Sequence, residues 1–580
     1  MNSCELAATG SGPFPLVLLA LALAAVGGGA AWLLVRRHRR RGAIALATLP
    51  LLVAALVIGG GGFAPQSASA AAPCPPTTSP SPLPTPEPTP TPTPAPVDFV
   101  AGAAGIGDPY YPLDGNGGYD VEHYDLDLSY EPATGVLSGS ATIEAVATEN
   151  LSSFNLDFDT RTVDGSDAIA IDSVTVDGAT AGWSLASTQI SIVTGQPQLP
   201  GSTDGDATPP RTELTVTPAS GIPSGSTIST TVVYRGVPIT IDDAFGPAGV
   251  FRSTDGAVIV GQPRVAATWF PSNDHPSDKA TFTTTMSVPE GLTVVGNGRL
   301  AGESTSAGRT SFTWEMAKPM ATYLATATVG DYDITTSTVD GITFYDAIDP
   351  SLYTVEADGG GTTVGDVAAK IFATEPEVID VLEQSFGPYP FSEAGGIAIA
   401  DLSPGQPLPY ALENQTRPIY PSWSFPADAD ASVVVHELAH QWYGDDVSMH
   451  RWSDIWLNEG FATYAEWLWA EHTGGPTPQQ SFDQAYASAP DDFWTTEIAD
   501  PGASGIFDAP VYVRGAMTLQ ALRTAVGDDD FFAILQGWAA GHAGGSGSTA
   551  EFVSYAESLS GDDLSALFDA WIHSDTKPAV

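Results

Sequence analysis

His436 and His440 stand four residues apart in Val433–Trp442, with Glu437 directly after the first. On a helix this spacing puts both imidazoles on one face, one turn apart, where they can bind a single Zn²⁺. Glu437 is then placed to act on a water at the metal. The residues around them are Val, Leu and Ala, so the helix is expected to be buried. A buried Glu beside two His has little purpose without a cation, because desolvating its charge is costly. No third His follows at a useful distance, and His450 sits in a loop-like stretch. The next candidate ligand is Glu459, 19 residues after His440, where Trp456–Tyr464 opens a second helical segment. Two His and one Glu leave a fourth position for water, which is the catalytic arrangement. Zinc brings the pKa of such a water down to about 7, and Glu437 can then take its proton for attack on a carbonyl.

Two helices must be packed together to assemble that group, and the pattern supplies them. Apolar residues recur at helical spacing over 364–386, 427–443, 460–472, 512–526, 529–540, 550–558 and 563–573. Before them, from about Asp120 to Thr335, short runs alternate polar and apolar residues between Gly, Asp and Pro clusters. Asp125–Tyr130, Ile171–Val176 and Glu213–Thr217 are examples. That is the signature of antiparallel β structure. The expected fold is therefore multidomain α+β, an antiparallel β-rich domain over 98–335 followed by a mainly helical domain over 336–580.

Composition narrows the chemistry. Of 580 residues, 20 are Lys or Arg and 68 are Asp or Glu. Beyond residue 97 the balance is 15 against 66, a charge of −51. Nucleic acid and anionic membrane surfaces are therefore not expected partners. The two cysteines, Cys4 and Cys74, both precede the expected folded part. This excludes a disulfide scaffold or an all-cysteine metal site in the body of the protein.

The first 72 residues hold two uncharged runs, 14–35 and 43–64, separated by Arg36, Arg37, Arg39, Arg40 and Arg41. Each run is long enough to span a bilayer, and the arginines favour the cytoplasmic side. The segment reads either as a two-helix anchor or as a signal peptide cleaved near Ser67–Ala71. Both readings place the remainder of the chain on the extracellular side, secreted or cell-surface anchored. Residues 73–97 form a Pro/Thr-rich linker, with 12 prolines among residues 73–96. That composition gives an extended spacer.

His436-Glu437-x-x-His440, Glu459 and the context Trp452–Ala462 resemble the aminopeptidase-N family of zinc metallopeptidases. Asp108–Pro112, Gly118–Tyr124, Trp269–Pro276 and Lys279–Phe282 are similar to segments of that family's β domain. The resemblance covers nearly all of 108–580. It implies a saddle-like N-terminal domain, a thermolysin-like catalytic domain and one Zn²⁺ per chain. It also implies further site residues. Tyr410-Ala411-Leu412-Glu413-Asn414 matches the family's Gly-x-Met-Glu-Asn stretch, whose Glu binds the substrate's α-amine, so Glu413 and Asn414 become substrate-binding residues. Tyr512, in Val511–Ala516, takes the place of the tyrosine that stabilises the oxyanion. Gln262 aligns with a further amine contact, but Arg264 stands where many members carry an acid. A cation there weakens the amine site unless it points elsewhere. The resemblance also implies that the large C-terminal helical domain of many relatives is not part of this sequence, which would leave the cleft more open.

The expectation is an exported zinc aminopeptidase, a monomer acting on peptides with a free N-terminus. It meets a membrane or cell wall only through its N-terminal segment. The alternatives are a zinc endopeptidase or other hydrolase with the same metal site, and a non-enzymatic surface-binding protein.

Overall fold

Alternating polarity builds the first half of the described chain. In Tyr119–Glu131, Tyr119, Val121, Tyr124, Leu126, Leu128 and Tyr130 are buried, while Asp120, Glu122, Asp125 and Asp127 face solvent. The computed structural model describes residues 98–253, 255–403 and 405–580. The two apolar runs, the linker and both cysteines lie outside the described residues. Among the described residues, no helix is long and apolar enough to cross a membrane.

The strand Tyr119–Glu131 sits inside an eight-stranded sheet, antiparallel to Val136–Ala147 and parallel to Lys279–Pro289. A four-stranded sheet carries Leu151–Asp157 and Arg211–Thr217. A five-stranded sheet runs in the order Thr240–Asp243, Gly246–Arg252, Ala257–Val260, Ala327–Gly330, Thr293–Gly296. The β pattern extends past Thr335. The hairpin formed by Asp333–Val339 and Ile342–Ile348 pairs in parallel with Ile397–Ile399, which pairs with Ile419–Pro421. This last sheet thus joins the end of the β region to the helical region. The described residues, from 98 to 580, form one compact unit.

Nine helices are present among the described residues. They are α1 (Val364–Phe372), α2 (Glu375–Phe386), α3 (Ser432–Ala439), α4 (Trp456–His472), α5 (Pro478–Ser488), α6 (Ala509–Val526), α7 (Asp528–His542), α8 (Thr549–Ser560) and α9 (Ser565–Trp571). The fold class is as expected, a β-rich domain followed by a helical one. Individual spans differ from the pattern. The run 364–386 is two helices, because Pro376 opens a new one and lacks the N–H needed to continue the old. The run 427–443 shrinks to α3. Ala431 at its N-cap is left-handed (φ 68°), and the chain turns away at Gly444 (φ 137°). Helix α5 was not expected, since its sequence, rich in Gln and Ser, shows little apolar periodicity.

A polar chain ties the β core to the site. Arg211 is buried and reaches Asp114, Asp157 and Asp159 at 3.0–3.2 Å. Asp157 Oδ2 accepts from the backbone N–H of Asp274 at 2.7 Å. Asp274 Oδ1 accepts from the Thr322 hydroxyl at 2.8 Å, and Tyr323 follows next in sequence. Burial pushes the carboxyls of Asp114, Asp157 and Glu213 up to about 8, 7 and 9, although Arg211 opposes the rise. Removing this one cation with Arg211→Met should cost roughly 3–5 kcal/mol in equilibrium unfolding. Linkage predicts the sign of the pH dependence. Between the ordinary carboxylate range near 4 and these raised values, the fold keeps protons that the unfolded chain has lost. Stability of the metal-free chain should therefore fall as pH rises from 5 to 9, measured as a decreasing Tm.

Candidate metal centre and active site

Helix α3 buries Val434, Val435, Leu438 and Ala439 and carries His436 in its last turn, with His440 at its C-cap. Helix α4 crosses beside it and carries Glu459 in its first turn. Both His Nε2 atoms face the same carboxylate oxygen. Glu459 Oε2 lies 3.2 Å from His436 Nε2 and 3.4 Å from His440 Nε2. The other ring nitrogens are taken. His436 Nδ1 lies 2.8 Å from Glu466 Oε1, and His440 Nδ1 lies 3.0 Å from the Tyr443 carbonyl. Such outer contacts fix the tautomer and aim Nε2 at a metal. One ligand atom from each of His436, His440 and Glu459 lies within 4.8 Å of the others.

The charges fit a cation. Burial would raise Glu459, but His440 and His436 overcome it and hold the carboxyl down to about 2. Burial would lower His440, yet Glu459 and Glu413 lift it to about 9. Without metal the site is thus held together by protonated imidazoles facing a carboxylate, a geometry a divalent ion can take over. For Glu437 burial dominates and pushes it up to about 8.

Glu413 joins this group. One oxygen each from Glu413 and Glu437 and one nitrogen of His440 also fall within 4.8 Å of one another. The Tyr323 hydroxyl donates to Glu413 Oε1 at 2.9 Å, and the Tyr323 ring packs on Trp452. Gln441 joins α3 to the loop carrying Glu413. Its Nε2 donates to the Glu413 carbonyl at 3.2 Å, and its Oε1 accepts from Thr416 N at 2.7 Å. Asn414 Nδ2 donates to the Leu324 carbonyl at 2.9 Å, while its buried Oδ1 has no partner. The buried Arg417 grips the backbone of this loop's neighbours, donating to the carbonyls of Gly298 at 2.8 Å and Tyr345 at 3.0 Å.

Tyr512 reaches the centre because two helices come unusually close. A Cβ on Gly460 would lie 2.9 Å from backbone atoms of Gly515, and one on Gly515 would lie 2.7 Å from the Gly460 Cα. Gly460 follows Glu459, and Gly515 lies one turn beyond Tyr512. The crossing of α4 and α6 therefore puts the Tyr512 ring 5.9 Å from the His436 ring, nearly parallel to it. Burial, and then the charge of Glu459, push the Tyr512 hydroxyl well above its ordinary value. Arg514, beside it, is structural. Its guanidinium donates to the carbonyls of Trp571, Trp494, Thr496, Ala570 and Ser574 at 2.6–3.1 Å, which ties α9 to α6.

Gln262 follows the strand Ala257–Val260, and its buried Oε1 has no partner. Arg264 points into the β domain. It lines a small cavity with Asp243 and Tyr111, and its charge partly offsets the rise that burial imposes on Asp243 and Asp114. It therefore does not oppose Glu413 as the sequence suggested it could. Glu466, Tyr323, Gln441 and the Gly460–Gly515 crossing were not picked out from the sequence. Lys279 was, within a β-domain segment, and its Nζ holds the Asp445 and Asp446 carbonyls at 2.6 and 2.8 Å.

With this geometry in place, the chain can be set beside known proteins. A family model described as the Peptidase family M1 domain matches residues 372–571, and one for the Peptidase M1 N-terminal domain matches 248–324. Over those residues the chain is similar to the aminopeptidase-N-like M1 peptidases. It is 29% identical over 358 residues to Aminopeptidase M1 of Arabidopsis thaliana, covering 57% of this chain and 39% of the relative. To Aminopeptidase N of Streptomyces lividans it is 29% identical over 335 residues, covering 52% and 36%. The chain thus spans about two fifths of the length of the curated relatives it matches. The solved M1 zinc metallopeptidase of Deinococcus radiodurans matches along 98% of its own length and 82% of this chain, with TM-score 0.68 and 28% identity. Yeast LTA4 hydrolase shares the fold, at TM-score 0.59 and 20% identity, over 80% of this chain and 68% of that one. The donor set of His436, His440 and Glu459, two imidazoles and one carboxylate, is one that zinc takes.

Three outcomes are expected. Glu466→Gln should weaken zinc binding by roughly 10–100-fold, read by competition with a chromophoric chelator. Because the metal displaces protons from the imidazoles, apparent zinc affinity should rise with pH between 6 and 8 in the same assay. Gly515→Ala should push α4 and α6 apart and lower kcat while zinc content stays near one per chain, measured by elemental analysis.

Proposed function

We propose that this protein is a zinc aminopeptidase that removes N-terminal residues from peptides, with His436, His440 and Glu459 as the metal ligands. The observation that carries this reading is the closeness of Glu413 to Glu437 and His440. In a peptide, two bonds separate the α-nitrogen from the first carbonyl carbon, about 2.5 Å. A carboxylate that holds the ammonium must then lie only a few ångströms from the group acting on the carbonyl. Each further residue before the scissile bond would add up to about 3.5 Å.

Bound zinc supplies Lewis acidity, which acidifies a water and polarises the scissile carbonyl. Glu413, oriented by the Tyr323 hydroxyl, pairs with the substrate's ammonium. Gln262 Oε1 and Asn414 Oδ1, buried and without partners, offer further acceptors for substrate N–H groups. Glu437 removes the proton of the attacking water and then delivers it to the leaving amine. The Tyr512 hydroxyl donates to the developing oxyanion. The apolar runs and arginines before residue 72 support action on the extracellular side, either anchored or secreted, and the acidic body gives a salt-screened preference for basic peptides.

Hydrolysis of aminoacyl-anilides beside their N-acetylated copies, with and without chelator, tests the reading. Chelator-sensitive cleavage of free-amine substrates alone is expected. Equal cleavage of acetylated copies would instead favour an endopeptidase. Glu437→Gln should lower kcat by roughly 10²–10⁴, and Tyr512→Phe by roughly 10²–10³, each with zinc still bound.

A further inference from the structure

The β-hairpin of Thr240–Asp243 and Gly246–Arg252 turns at Ala244 and Phe245. Two-residue turns favour Gly, Asn and Asp, so a phenylalanine at this tip has no local reason to be there. Its reason is a partner in the helical region. Phe245 meets Phe507 edge-to-face, with ring centroids 4.8 Å apart. Both rings are only half-buried, so the pair is partly open to solvent rather than sealed in a core.

The hairpin touches every segment that carries a candidate substrate contact. Phe507 lies five residues before Tyr512. Tyr410 lies three residues before Glu413, and its hydroxyl donates to the Pro247 carbonyl at 2.7 Å. Gly246–Arg252 pairs with Ala257–Val260, which leads to Gln262. Gly261 closes the contact. A Cβ there would lie 2.3 Å from the Ala248 side chain and 3.2 Å from the Tyr410 hydroxyl. Tyr410 stands where the family has glycine, and this hydrogen bond is what the larger residue adds.

We propose that Phe245, held by Tyr410 and set against Phe507, is a specificity-determining wall that bounds the space for the substrate's first side chain. The inference rests on the aminopeptidase reading above. With the ammonium at Glu413 and the reacting carbonyl near Tyr512, the first side chain must find room among the segments that carry them, and the hairpin tip joins those segments. Phe245 also borders a cavity of about 20 Å³ lined by Pro263, Arg264 and Asp243, room for about one water. Truncating the ring would merge its volume with that space.

The test compares Ala-, Leu-, Phe- and Trp-anilides on the full chain and on Phe245→Ala, Phe245→Leu, Phe507→Ala and Tyr410→Phe, with thermal unfolding run alongside. The ratio of kcat/KM for Trp over Ala should rise by roughly tenfold or more in Phe245→Ala and Phe507→Ala, with Phe245→Leu between them and the wild type. Tyr410→Phe should move the ratio the same way by freeing the hairpin. A ratio within twofold of wild type in both alanine variants overturns the proposal, as does a parallel fall for all four substrates. If Phe245→Ala does not fold, Phe507→Ala and Phe245→Leu decide it. Wild-type protein inert to every anilide would instead mark failure of the aminopeptidase reading, and the wall would fall with it.

Discussion

The buried negative charge at the centre is the constraint on which the rest depends. Glu413, Glu437, Asp445 and Glu459 are all buried close together, against two imidazoles and the ammonium of Lys279. Four desolvated carboxylates cannot all be ionised there without added positive charge. The molecule responds in two ways. It leaves some of them prone to protonation, as burial does for Glu437 and Asp445. In the proposed function the balance comes from outside, from a divalent ion at His436, His440 and Glu459 and a substrate ammonium at Glu413. On that proposal, affinity for the metal and selection of a free amine are two responses to one electrostatic problem.

Holding such a group in place needs scaffolding that does not rely on further charge. Cations are scarce in the acidic body, yet four arginines are buried in it, Arg264 beside Asp243 and three others that brace the fold. Arg211 gathers the carboxylates of the β core. Arg417 and Arg514 instead grip backbone carbonyls, the first around the loop of Glu413 and the second behind the helix of Tyr512. Lys279 does the same from the β sheet, holding the chain just beyond His440. The site is therefore built across both halves of the fold, and loss of any of these cations would be felt at a distance.

The candidate metal ligands were legible in the sequence because their signal is local. A four-residue spacing decides which helical face His436 and His440 share, and Glu459 announced itself at the start of a helix. Other residues were hidden because their roles are set by tertiary contact. Glu466 reads as an ordinary helix acid until its helix is laid against His436 Nδ1. Tyr323 follows a strand and gains meaning only where the loop of Glu413 passes over it. Gly460 and Gly515 look like weak points in two helices, yet they permit the backbone approach that brings Tyr512 to the metal centre. The same limit applies to the elements. The short α3 is cut by the backbone at Ala431 and Gly444, which no apolar period reports. The hairpin 333–348 joined a sheet with strands some fifty residues later, a pairing that local alternation cannot specify. The direction of Arg264, toward Asp243 and Asp114, was likewise beyond the reach of sequence.

X-ray absorption at the zinc edge on the zinc-loaded full chain tests the central claim most directly. The account predicts one zinc per chain with two imidazole nitrogens at about 2.0–2.1 Å, the remaining ligands oxygen, and no sulfur. One imidazole should be lost in His440→Ala. A sulfur ligand, three or more imidazoles, or a wild-type spectrum in that variant would contradict it.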